Sequence, residues 1–318
     1  MAMNRVQFQR GMSLFELFQQ FGTEAQCEAA LEHARWPQGF RCPRCGGAAH
    51  CVLGVRARKT FQCNTCRHQT SLIAGTVFEG TKLGLTVWFL AMYLISQAKT
   101  GLSALALKRD LGVSDPSAWL MHHKLMQAMV EREASYVLCG SVQVDDAYLG
   151  GELNGGTAGR GSENKVPFIG AVSLDEEGHP LRAKFTQLTG FTRTAIAAWA
   201  SDHLSPHSTV VSDGLACFAG VTDAGCAHQP TVVGSRKPKD LPMFHWVNTV
   251  LGNNLKTSLS GAYHSFGFNQ YAERYLGAIA YRFTRRFNLH ALPNRLLVAA
   301  ALCGPCPAQR IRLAETHC

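Results

Sequence analysis

The sequence predicts an α/β protein, a mixed-sheet domain flanked by helices and preceded by a cysteine-rich module and a helical region. Three observations carry this. Two Cys-x-x-Cys pairs stand near the N-terminus, apolar residues recur at three-to-four spacing over 84–134, and from Ser141 short β-like runs alternate with helical stretches. With 318 residues, 46% hydrophobic and 17% charged, the chain suffices for two or three domains and is too apolar for a disordered one. Its net charge of +9 suits a protein that meets a polyanion, most often nucleic acid. Charge alone would equally fit a basic housekeeping enzyme.

The elements follow in order. Residues 12–36 read as helix, with Ser13 and Glu16 in capping-box spacing. Residues 37–72 are rich in Gly, Pro and Cys, with β-like runs at 52–55 and 60–63. Residues 84–134 return to helix. Then come a β run over 141–148 and a hairpin of 166–174 with 181–188 around Asp175-Glu176-Glu177-Gly178. A helix over 192–204, strands at 209–211 and 231–233, and helices over 244–260 and 270–287 complete the order. Residues 155–165 are Gly-rich and polar, a mobile loop. Met1–Arg10 has no apolar signal core, and the longest apolar stretch, 83–95, is about a dozen residues, too short to span a bilayer. A cytoplasmic protein without membrane contact is expected.

Cys42-Pro-Arg-Cys45 and Cys63-Asn-Thr-Cys66 are separated by 17 residues, the spacing of a structural zinc site. Four thiolates close a tetrahedron on zinc, and in so small a module the metal supplies the folding energy. His50 and Cys51 are not needed as substitutes. From His33 to Phe78 there is no Asp or Glu, but there are Arg35, Arg41, Arg44, Arg56, Arg58, Lys59 and Arg67. That uncompensated charge suits phosphate contact, although an Arg-rich solvated face reads the same way. Cys303-Gly-Pro-Cys306 has no partner pair and reads as structural thiols.

Residues 102–111, a Gly112-Val113-Ser114 turn and residues 117–131 read as helix-turn-helix, with Ser114 or Asp115 as cap and Pro116 in the first turn. On that reading His122, His123 and Lys124 face DNA. A helical linker packed on a catalytic core fits as well.

Val142-Gln-Val-Asp145-Asp146 and Val210-Val-Ser-Asp213-Gly214 each set an acid at the end of an apolar strand. A buried strand-end acid costs desolvation unless it is paired or binds metal. Two on neighbouring strands can clamp divalent magnesium for phosphodiester chemistry. Asp145 and Asp146 alternate faces, so Asp145 is taken as the ligand. Asp-Gly is also a common turn. No later acid stands at an obvious third position. The helix after His245 offers Asn248, Asn253, Asn254 and Lys256 instead.

Together these stretches resemble bacterial insertion-sequence transposases that join an N-terminal zinc ribbon to an ISXO-type DDE domain, over roughly residues 15–289. The resemblance lies in Thr76-Val-Phe-Glu-Gly80, Ser117-Ala-Trp-Leu-Met-His-His-Lys-Leu125, Val144-Asp-Asp-Ala-Tyr-Leu-Gly-Gly151, Lys165-Val-Pro-Phe-Ile-Gly-Ala-Val172, Ser212-Asp-Gly214, Trp246-Val-Asn-Thr-Val-Leu-Gly-Asn-Asn-Leu-Lys256 and Gly261-Ala-Tyr-His264. It implies an RNase H-like fold, catalytic magnesium (or manganese), recognition of terminal inverted repeats, and cut-and-paste or related transposition. In this group the third position is often Asn followed closely by Lys. That makes Asn254 the third ligand beside Asp145 and Asp213, with Lys256 as companion and Asn253 as a one-residue alternative. The family's Glu-Phe-x-Tyr-Arg-Phe-Asn-Arg-Arg here reads Ala278-Ile-Ala-Tyr-Arg-Phe-Thr284-Arg-Arg, and Arg282, Arg285 and Arg286 would suit DNA backbone.

The resulting expectation is a zinc-ribbon domain with leading helix over 12–80, a helix-turn-helix-like region over 81–137, an RNase H-like DDE domain over 138–290 and a basic tail over 291–318. Its partners would be duplex DNA, both element ends and target, and a homo-oligomer that synapses two ends. The competing readings are a catalytically silent zinc-ribbon DNA-binding regulator, motivated by Ala278, and a nuclease acting on RNA–DNA hybrids.

Overall fold

Local capping sets the first two helices. Ser13 and Glu16 form the expected capping box on α1 (Leu14–Phe21). The single helix expected over 12–36 breaks at Gly22, because Thr23 and Gln26 form a second box that starts α2 (Glu24–Arg35). The computed structural model describes residues 6, 8–53, 58–150, 162, 164–237, 240–263 and 266–313. Most of the Gly-rich 155–165 stretch lies outside them. The chain divides into two units, Met1–Glu131 with Arg286–Ile311, and Arg132–Arg285 with Arg312–Cys318.

In the first unit, β1 (His50–Leu53), β2 (Thr60–Cys63) and β3 (Gln69–Ser71) form an antiparallel three-stranded ribbon. Its apolar content is an aromatic cluster. Phe40 stacks on Phe61 at 5.1 Å, and Trp36 meets both edge-on. Helix α3 (Leu85–Gln97) is a core helix, with Leu85, Trp88, Met92 and Ile95 buried. Gly84 at its N-cap offers no side chain. Glu24 of α2 takes over, accepting from the Leu85 N–H (2.8 Å) and the Thr86 N–H (3.2 Å) while pairing with Arg58. Glu24→Ala is therefore expected to cost about 1–2 kcal/mol, the size of a lost helix cap. A urea midpoint unchanged from the parent would show that the remote cap contributes nothing.

Helix α4 (Ala104–Leu111) is capped by Ser103 and ends on Gly112 at φ +64°, where a side chain would be strained. Helix α5 spans Asp115–Ala134, its last three residues belonging to the second unit. The 291–318 stretch is not a tail over most of its length. Helix α10 (Leu292–Leu302) buries Leu292, Leu296 and Ala300 and packs on α2 and α3, because its apolar spacing outweighs the few basic residues around it. Residues 314–318 lie outside the described ones.

The second unit is built on a five-stranded sheet of order β6-β5-β4-β7-β8. Its strands are β4 (Ser141–Leu149), β5 (Val166–Leu174), β6 (Pro180–Gln187), β7 (Thr209–Ser212) and β8 (Ala227–Pro230). The first three pair antiparallel, and β4-β7 and β7-β8 pair parallel. This is the RNase H-like arrangement. The last strand is not the expected 231–233. Pairing with β7 begins at Ala227, and Val232 lies outside it, 71% exposed.

Alternation sorts the two faces. Val142, Val144, Ile169, Ala171 and Val210 join Ile196, Trp199 and Ala200 of α6 (Arg193–His203) and Phe218 of a short 3-10 segment in one core. The opposite face carries Gln143, Asp145 and Gly170. It is covered by α7 (His245–Thr249), a π-turn at Val250–Leu255 and α9 (Phe268–Thr284), while α8 (Lys256–Gly261) continues from the π-turn.

Candidate active site

Among the described residues three groups of side chains come close enough to hold a metal; Asp175, Glu177 and His179 lie exposed at the turn between β5 and β6, and the other two bear on function. In the first unit, one sulfur of each of Cys42, Cys45, Cys63 and Cys66 lies within 4.8 Å of the others. The Cys42–Cys66 and Cys45–Cys63 sulfur pairs stand 3.6 Å apart. A tetrahedral zinc with Zn–S bonds near 2.3 Å needs sulfurs about 3.8 Å apart, and a disulfide about 2.05 Å, so the spacing fits the metal. The knuckle backbones turn to make this possible. Gly46 and Arg67, each just after the second cysteine of its pair, both have positive φ, and their N–H groups donate to the Cys42 and Cys63 carbonyls. The Cys63 thiol is held down at about 6, chiefly because the Cys66 N–H donates to its sulfur. Cys45 is pushed up to about 12: the Gly47 N–H favours its thiolate, but the sulfurs of Cys66 and Cys63 crowd it. Four cysteine sulfurs at this spacing offer a tetrahedral donor set that suits zinc.

The expected positive face of the ribbon is smaller than its sequence suggested. Arg35 donates to the Ser71 and Leu72 carbonyls and stacks on Trp36. Arg58 and Lys59 pair with Glu24 and Glu32 of α2. Arg41, Arg44 and Arg67 are exposed, all beside the knuckles, and Arg56 lies outside the described residues.

His122, His123 and Lys124 do not face outward. They are 0%, 1% and 5% exposed. Lys124 Nζ donates to the Val77 (2.8 Å) and Glu79 (3.2 Å) carbonyls, so α5 is an interior helix there. Two helices joined through Gly112 stand where a helix-turn-helix was expected, but those three residues are too buried to read DNA. The arginines near the end of α9 are likewise structural. Arg282 and Arg285 are buried, and Arg285 pairs with Glu133 and lies over the Tyr281 ring. Burial pushes Arg286 down to about 10. Cys303 and Cys306 are buried, as structural thiols would be.

In the second unit, carboxylate oxygens of Asp145, Asp146 and Asp213 lie within 4.8 Å of one another. The sheet explains the meeting. Pairing between β7 and β4 stops at Val211 and Gln143, so Asp213 projects beyond the end of β7 beside an open edge of β4. Either face of β4 can reach that gap, which is why Asp146 joins despite the alternation that argued against it. Asp213 Oδ1 also accepts from the Leu215 N–H (3.0 Å), and Asp145 Oδ1 from the Asp146 N–H (2.9 Å). The turn reading of Asp213 and its place in the cluster thus coexist. Ser212 Oγ and His228 Nε2, 2.9 Å apart, fasten the end of β7 to β8.

Asn253, Asn254 and Lys256 are exposed on the helix that crosses the face carrying Asp145. What docks this helix is Gly170, which stands opposite Asp145 in the β4–β5 register. A Cβ there would lie 2.6 Å from Leu251 Cδ2 and 3.1 Å from Cγ. Glycine makes room for Leu251, and Asn254 follows three residues later. Sequence reasoning missed Gly170 and Gln143. The visible signals were a glycine and a glutamine inside otherwise apolar strands.

Residues 137–284 match a family model described as ISXO2-like transposase domain, and residues 22–69 one described as transposase zinc-ribbon domain. A protein of Halobacterium salinarum, described as an uncharacterized protein in transposable element ISH50, is 27% identical over 216 residues. The match covers 62% of this chain and 70% of the relative. Among the described residues no helix is long and apolar enough to cross a membrane.

Proposed function

The chain belongs to the insertion-sequence transposases that join a transposase zinc ribbon to an ISXO2-like transposase domain, and from that premise we propose that it cleaves element ends and joins them to target DNA. The observation that carries the reading is the convergence of Asp145 and Asp213 where β7 stops pairing with β4. An octahedral magnesium with bonds of about 2.1 Å sets its ligand oxygens roughly 3–4 Å apart, within the spread of this cluster, and carboxylates are the hard donors it takes. Asp145 and Asp213 would hold the ion, with the neutral carbonyl oxygen of Asn254 as third donor. Bound there, magnesium or manganese supplies the Lewis acidity that favours the attacking oxygen and the leaving oxygen.

The chain's own groups do the rest. Lys256 lies near enough in sequence to Asn254 to offset phosphate charge as the phosphorus becomes five-coordinate. Water forms a new P–O bond at the element end as the bond to the 3′ oxygen breaks, freeing a 3′-hydroxyl. That hydroxyl then attacks a target phosphodiester, forming one P–O bond as another breaks. Arg41, Arg44 and Arg67 on the zinc knuckles supply phosphate contacts, and the terminal inverted repeats are the sequence bound. Two ends held together require at least two copies of the chain.

Ala278 and Thr284 favour a second reading, a silent DNA-binding regulator. Ala278 is fully buried in α9, and the Thr284 hydroxyl contacts the Ala183 backbone of β6. Purified protein incubated with magnesium and end-labelled duplex carrying the element terminus is expected to yield nicked and joined products. Salt-sensitive binding without nicking in magnesium or manganese would establish the regulator instead. Preferential cutting of an RNA–DNA hybrid would point to a nuclease.

A further inference from the structure

Helix α7 begins without a local cap. Phe244 at its N-cap position gives no side-chain hydrogen bond. The first N–H groups of a helix have no intrahelical acceptor, and buried ones must find another. Here the Trp246 N–H (3.1 Å) and the Val247 N–H (2.9 Å) both donate to Oε1 of Gln143, more than a hundred residues earlier in the chain. Gln143 is 3% exposed and sits in the middle of β4, between Val142 and Val144 of the apolar core. A buried amide in an apolar strand is costly unless its polar atoms are used. This one is spent on the start of the helix that carries Asn254 and Lys256.

The position of Gln143 gives that bond a consequence. It lies two residues before Asp145, on the same face of the strand. Gly170, opposite Asp145, receives Leu251 of the same helix. The helix is thus pinned on both sides of Asp145, by its N-terminal amides and by a side chain five residues on. The second pin, Leu251, itself belongs to the π-turn Val250–Leu255, an insertion that re-aims the residues within it and is frequent at functional sites.

We infer that Gln143 is the positioning residue of the third catalytic position, fixing the Asn254–Lys256 helix to the strand that bears Asp145. The inference rests on the proposed active site. It assigns Gln143 no contact with DNA or metal. Because the donors it accepts are backbone groups, any side chain with an acceptor oxygen at the same reach can serve, and one of equal volume without it cannot.

Hydrogen–deuterium exchange on the parent protein, without metal or DNA, is expected to show the Trp246 and Val247 amides protected. Gln143→Met keeps the volume and removes the acceptor oxygen. It should speed exchange of these two amides at least about tenfold and lower the single-turnover cleavage rate about tenfold or more, with affinity for end DNA unchanged. Gln143→Glu should restore both. Unprotected amides in the parent, a folded Gln143→Met with parental exchange and rate, or equal losses in the Met and Glu variants would each overturn the inference. Failure of the underlying site reads out differently, as protected amides together with an Asp145→Ala variant that cleaves like the parent.

Discussion

Asp145→Ala is expected to lower end cleavage and joining on the order of 10³-fold, the range seen when a group that stabilises transition-state charge is removed. Asp145 is the carboxylate on which the second unit converges. Its neighbours Asp146 and Asp213 bring oxygens within 4.8 Å of it, Gln143 pins a helix two residues before it, and Gly170 admits Leu251 opposite it. The fold should not suffer. Three like charges in so small a space repel, and removing one relieves that repulsion in the metal-free protein. The thermal midpoint without metal should therefore stay level or rise, while the stabilisation that added magnesium gives the parent should be lost. Asp213→Ala should behave alike, and the double variant should be scarcely worse than either single one, because ligands of one ion act as a unit. Cleavage rates on end-labelled duplex and thermal scans with and without magnesium check all three points. An Asp145→Ala protein that cleaves like the parent refutes the assignment, and losses that multiply in the double variant refute the shared ion.

How much of this was legible in the sequence follows from which interactions are local. The four-cysteine cluster was readable because Cys42–Cys45 and Cys63–Cys66 are knuckles whose geometry is set within four residues. The strands from Ser141 to Gln187 were readable because their two-residue alternation and the Asp175–Gly178 turn are local too. The break at Gly22 was equally local, since Thr23 and Gln26 stand in capping-box spacing, yet the apolar periodicity on either side hid it. What was not readable are features set by distant partners. Glu24 caps α3 and Gln143 caps α7 across long stretches of chain, and no local motif marks either. Charge was the poorest guide. Lys124, Arg282 and Arg285 look like DNA contacts in sequence, but inside their own units Lys124 finds carbonyls, Arg282 the Tyr263 hydroxyl, and Arg285 a carboxylate and an aromatic ring. Asp146 was set aside because it alternates with Asp145, yet beside the edge that β7 has left its carboxylate still comes within 4.8 Å of those of Asp145 and Asp213.

Zinc removal, or Cys63→Ser, is expected to unfold the ribbon and abolish its share of DNA binding while the second unit still melts as a folded domain. The ribbon strands are three or four residues long and pack on little more than Trp36, Phe40 and Phe61. Against so small a core, structural zinc contributes roughly 10–16 kcal/mol of binding energy in ribbon-sized peptides, so the apo ribbon has no means of staying closed. The damage has a direction. Arg35 holds the Ser71 and Leu72 carbonyls, Lys59 pairs with Glu32, and Arg58 pairs with the Glu24 that caps α3. Loss of the ribbon therefore loosens α2 and the start of α3 before it reaches the rest of the unit. For DNA, the three exposed knuckle arginines Arg41, Arg44 and Arg67 lose the scaffold that groups them. Each phosphate contact contributes about 0.9 to the slope of log affinity against log salt. The metal-free protein should accordingly bind end DNA more weakly and with a slope shallower by up to about 3. Arg44→Ala in the zinc-loaded protein should reproduce about one such step without unfolding anything. Titrations at several salt concentrations, with and without chelator, measure this directly. A slope that survives zinc removal would move the DNA contacts off the ribbon, and a slope changed by chelator but not by Arg44→Ala would leave the ribbon with its fold and take Arg44 out of the interface.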